Sequence, residues 1–156
     1  MNNESEYTSE KELNKIDDIP QAPYKAPLSV FNSENISEDI VVKGSGIIRE
    51  TLACFQMISK IMQLPIRKDS LEKILRDYSA RGSEINIQLF GELLSNLGLH
   101  ITIGKIPPKM AYRLQTPSVI KWKTSFAIII NSSQDGIVLA SPVEGIVKLS
   151  KKEIEN

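Results

Sequence analysis

Two side chains in this sequence have the chemistry of a nucleophile and a general base: Cys54, its only thiol, and His100, its only histidine. A reactive cysteine needs a helix N-terminus, whose partial positive charge lowers the thiol pKa, and an imidazole within hydrogen-bond reach. Cys54 instead lies about two turns inside the apolar run GIIRETLACFQMISKIMQLP, where desolvation works against the thiolate. It is expected to be a small buried hydrophobe. His100 has no partner motif around it and is expected at the surface or at a cap. One Cys and one His cannot build a zinc site, so no metal is expected, and nothing points to a cofactor. Gly44-Ser45-Gly46 lacks the Lys and the preceding strand of a phosphate loop. No pair of carboxylates is spaced for acid–base work. Trp122 and Phe126 could line a peptide groove, although aromatic residues in such strands are more often core.

The elements that would position these residues fall after residue 40. Residues 1–40 carry nine acidic residues and three lysines, whereas residues 41–156 carry sixteen basic residues and ten acidic ones. That shift in charge marks a boundary. The first forty residues, rich in Glu, Asp, Asn, Ser and Pro, bury too little apolar surface to offset ordering entropy, so a disordered acidic tail is expected. Leu28-Ser29-Val30-Phe31 is its one apolar patch, read as linker. The N-terminus is acidic and polar, unlike a signal peptide. One cysteine excludes an internal disulfide and fits a reducing compartment. The basic excess of 41–156 is mild and has no aromatic interleaving, so nucleic acid is not an expected partner.

From Gly46 to Pro65 apolar residues recur at three- and four-residue steps (Ile47, Ile48, Leu52, Phe55, Ile58, Ile61, Met62), which predicts a central buried helix. Asp69-Ser70 is expected to cap a second helix, Leu71 to Ala80, and Asn86 a third, Ile87 to Leu97. Gly91 inside the third marks close packing. The period then changes to two. Strands are predicted over His100–Ile106, Ser118–Lys123, Phe126–Asn131, Gly136–Ala140 and Ile146–Leu149, with Asp135-Gly136 in a hairpin turn and a turn or short helix over Lys109–Leu114. Ser150 caps a last helix beginning KKEIEN. Three helices followed by an antiparallel meander is an α+β layout.

Four segments in this order, ACFQMISKIMQLPI, SLEKILRDYSARGSEINIQLFGELLSNLGL, RLQTPSVIKWKTSFAIII and DGIVLASPVEGIVKLSKKEI, resemble the bacteriocin-processing cysteine peptidase domain of peptide-exporting ABC transporters. The resemblance spans about residue 44 to the end. It implies a papain-like fold and a cytoplasmic position at the inner face of the plasma membrane, attached to an exporter's transmembrane and ATPase domains on the same or another chain. It also implies that the domain continues past Glu155, so that 41–156 would be truncated at its C-terminus.

The family's functional groups are missing. Laying Cys-Gly-x-Ala-x-Leu-x-Met onto Glu50 to Met57 places Glu50 where the nucleophile belongs, and Cys54 one turn later. The oxyanion-hole glutamine falls on Gly44, the catalytic histidine on Ser125, and the aspartate of the Asp-Pro pair on Ser141. No carboxylate replaces a thiol nucleophile and no serine replaces an imidazole base, so the triad logic fails at every member. The resemblance therefore implies a non-catalytic peptidase-like domain, as in the haemolysin exporter, that docks a peptide or unfolded protein for type I secretion or bacteriocin export. Its binding residues would be Glu50, Trp122, Ser125 and Phe126. The alternative is an active leader-processing peptidase using Cys54 and His100 in an altered geometry.

Overall fold

A computed structural model describes residues 39–156, so the expected tail and its Leu28–Phe31 patch lie outside the described residues. The central helix forms as α1, Ile47–Met62. Its middle is buried without a break from Glu50 to Phe55, and Cys54 and Met57 are fully enclosed. The apolar face is less complete at its ends than the spacing predicts: Ile47 and Met62 are 38% and 39% exposed. Gln63 closes the helix in the left-handed region (φ 54°), the Ser59 carbonyl accepts the Gln63 and Leu64 amides, and the Ser59 hydroxyl donates to the Leu64 carbonyl oxygen at 2.6 Å.

Helix α2, Lys68–Ala80, starts a turn earlier than Asp69-Ser70 suggested, with Arg67 at the N-cap and no side-chain cap. Asp69 lies inside the first turn, where its charge complements the helix dipole. In α3, Ile87–Asn96, the Asn86 Oδ1 accepts the Leu89 amide at 2.9 Å, as the sequence predicts. Phe55 of α1 stacks on Phe90 of α3, with centroids 4.1 Å apart, and Phe90 meets Phe126 edge-on at 5.4 Å.

The strand expected over 100–106 does not form. Its alternation is real but serves a helix: a Cβ on Gly91 would lie 2.8 Å from Ile103 Cδ1 and 3.4 Å from Ile101 Cγ2. The segment lies across α3 at the one position that lacks a side chain, and no strand pairs with its backbone. A 3-10 turn follows at Pro108–Arg113.

The meander comprises β1 (Ser118–Trp122), β2 (Ser125–Ser133), β3 (Gly136–Ser141) and β4 (Gly145–Ser150), antiparallel in the order β1-β2-β3-β4. Two-residue loops close the first two hairpins on Trp122↔Ser125 and Ser133↔Gly136. Gly136 admits no side chain, because a Cβ there would overlap the Leu149 carbonyl oxygen of β4. Alternation divides β2 between two cores. Phe126, Ile128 and Ile130 join the core under α1, α2 and α3, while Ala127 and Ile129 join a second cluster with Ala111, Ile137 and Leu139. Ile154 of α4, Lys151–Glu155, packs on that second cluster. Ser150 and Glu153 form the capping box that starts α4. Helices on a four-stranded antiparallel sheet confirm the α+β reading.

Candidate functional site

Of the four polar positions that the resemblance names, Gly44 lies just before α1 and Glu50 at its start, Ser125 opens β2 and Ser141 ends β3. Glu50 is in the first turn of α1 and only 9% exposed. Its Oε1 accepts the Gly46 amide at 3.0 Å, satisfying one of the donors that a helix start leaves open. Gly44 packs behind it, where a Cβ would lie 2.7 Å from the Arg49 carbonyl oxygen. The Gly44 amide donates to the Pro142 carbonyl oxygen at 3.2 Å, which ties the segment before α1 to the turn after β3.

Cys54 links α1 to β2. Its Sγ donates to the Phe126 carbonyl oxygen at 3.5 Å across 72 residues of chain. Burial, and to a lesser degree the Glu50 carboxylate, push the thiol up to about 12. A thiol so placed is protonated at neutral pH and has no open face. His100 is exposed in the segment after α3, and its ring has no hydrogen-bond partner among the described residues. Cys54 bonds to a backbone carbonyl, and no hydrogen bond joins it to His100 among the described residues.

Ser125 opens β2. It is 6% exposed, and its hydroxyl has no hydrogen-bond partner among the described residues. Ser141, 2% exposed, ends β3, and its Oγ accepts the Val143 amide at 3.3 Å and the Glu144 amide at 3.2 Å. By strand alternation Ser125, Ala127 and Ile129 share a sheet face with Ile137, Leu139 and Ser141. Trp122, the register partner of Ser125, belongs to that face too. Phe126 points the other way. It is 4% exposed and its ring is spent on Phe90, so among the expected binding residues it offers no side-chain surface to a peptide.

Glu144 was not singled out from the sequence. Its Oε2 accepts Trp122 Nε1 at 2.7 Å and its Oε1 accepts Lys123 Nζ at 2.5 Å, and these bonds hold its carboxyl below the usual carboxylate range. No local spacing signals it, because its two donors lie 22 and 21 residues earlier in the chain. Among the described residues, no group of three His, Cys, Asp or Glu side chains is placed to hold a metal ion. No helix among them is long and apolar enough to cross a membrane.

No family model matches the chain, and no curated protein matches it. Among solved structures it is similar to a crystal structure of a double glycine motif protease from an AMS/PCAT transporter in complex with the leader peptide. The TM-score is 0.60 at 17% sequence identity, over 74% of this chain and 81% of that one. At that identity the likeness is one of fold. Residues 39–156, helices on a four-stranded antiparallel meander, have the papain-like fold of that transporter protease.

Proposed function

We infer that the domain is a non-catalytic peptidase-like module that docks a peptide or unfolded protein segment for an ABC exporter carried on the same or another chain, at the inner face of the plasma membrane. The observation that carries this reading is Glu50. At the position where the fold would present a nucleophile to the helix dipole, a carboxylate closes the helix start by accepting the Gly46 amide. Ser125 and Ser141, which the sequence resemblance lays on the other two triad positions, supply neither an imidazole nor a carboxylate. Support for peptide docking comes from the protease of similar fold, whose crystal structure contains a leader peptide. The surface proposed for it runs from Glu50 to Trp122 and Ser125, where an extended segment could add main-chain hydrogen bonds. Residues 1–40 are proposed to be a separate acidic tail.

A titration of the isotope-labelled chain with a double-glycine leader peptide, followed by NMR, tests the reading. Amide shifts clustering at Glu50, Trp122 and Ser125, with the peptide recovered uncut, are expected. Shifts absent from those residues would remove the docking site, and a cut peptide would overturn the non-catalytic assignment.

A further inference from the structure

A serine beside a two-residue hairpin loop is usually well exposed, yet Ser125 is 6% exposed and its hydroxyl has no partner among the described residues. Burying a hydroxyl without a hydrogen bond is unfavourable, which makes Ser125 a costly position to keep closed. On its own sheet face two features flank it: Trp122, paired with it across the hairpin, and the turn that follows Ser141. A single side chain joins these two. Glu144 reaches from the turn and accepts from both Trp122 Nε1 and Lys123 Nζ, and the same ammonium lies 5.9 Å from the Trp122 ring centroid.

The turn itself is rigid on its other side. The Gly44 amide donates to the Pro142 carbonyl oxygen, Lys43 Nζ donates to the Val143 carbonyl oxygen at 3.3 Å, and Ser141 Oγ accepts the Val143 and Glu144 amides. Gly145 (φ 86°) turns the chain into β4. Glu144 is thus presented from a fixed mount. Its tie to the hairpin tip is a solvent-facing contact, with Lys123 62% and Glu144 32% exposed at the side chain, and such ion pairs are weak.

We propose that Glu144 is a latch: it holds the Trp122–Lys123 hairpin tip against the Ser141–Gly145 turn, closes the surface around Ser125, and must be released before an extended peptide reaches that hydroxyl. The device rests on the docking reading but is measured separately from it. Trp122 is the only tryptophan in the chain, so its emission reports the latch directly.

The test compares the full chain with its Glu144→Ala and Glu144→Gln variants, and with Arg76→Ala, which removes a comparably exposed ion pair to Glu72 on α2. Both Glu144 variants are expected to shift Trp122 emission to the red, increase its quenching by iodide, and bind a double-glycine leader peptide roughly two- to fivefold more tightly. Arg76→Ala is expected to change none of these. Unaltered emission and quenching would show that Glu144 holds nothing shut. Weaker peptide binding would show that Glu144 belongs to the binding surface and not to its cover. If neither wild type nor variant binds while emission does respond, the contact is a structural clasp, and both the gate and the docking reading fall.

Discussion

Cys54 carries two measurable consequences of its burial. Its thiol ionises at about 12 in the folded chain against 9.0 for an unperturbed thiol, so the folded state holds a proton that the unfolded state loses between those values. The thiol therefore takes nothing from stability below pH 9 and reduces it as pH rises from 9 towards 12, by at most about 4 kcal/mol at 1.36 kcal/mol per pH unit. Urea titrations at pH 8 and pH 10.5 should show the midpoint falling for the wild type and falling less for Cys54→Ala. Iodoacetamide at pH 8 should modify native Cys54 about a thousandfold or more slowly than the urea-unfolded chain, since reaction waits for opening. An equal rate in both states would restore Cys54 as a candidate nucleophile. At Glu50, replacement by Ala should cost about 1 kcal/mol, the worth of a lost helix cap, read as a lower urea midpoint with an unchanged slope. Glu50→Gln, whose amide oxygen still accepts the Gly46 amide, should recover most of it.

At the scale of elements, the meander was legible because its signals are local. Asp135-Gly136 lies at the turn it predicts, and Gly136 is confined by the Leu149 carbonyl oxygen against which it packs. Gly136→Ala is expected to cost more than about 2 kcal/mol, since the obstacle is backbone that cannot step aside. A thermal melt unchanged from wild type would contradict that. The Asn86 cap and the Ser150 capping box were equally plain. What was not legible depended on partners. Alternation over 100–106 is the same pattern whether a segment faces a neighbouring strand or the groove over Gly91, and only the second partner exists here. Phe126 was offered as a binding residue because its position beside Ser125 says nothing of which sheet face it takes; Phe90 decides that. Glu144 was overlooked for the related reason that its two donors lie 22 and 21 residues away in sequence.

Across the whole molecule, the three phenylalanines Phe55, Phe90 and Phe126 join α1, α3 and β2 into one core. Phe90 touches both of the others, so Phe90→Ala should cost about 3–5 kcal/mol, against a total stability for a domain of this size of about 5–15 kcal/mol. A loss below 1 kcal/mol in urea unfolding would mean that the core closes over the gap. The connection from α1 to the sheet bears on how the chain is made. The helix that leads the described domain bonds to Phe126, 72 residues further on. At a synthesis rate of about 5–20 residues per second, roughly 4–14 s separate the two on the ribosome. For that interval α1 has no sheet to cover its apolar face, and the nascent chain must carry Leu52, Phe55 and Ile58 unprotected or lend them to α2. A helix whose middle is enclosed in the finished protein is thus an exposed liability while the chain is being made.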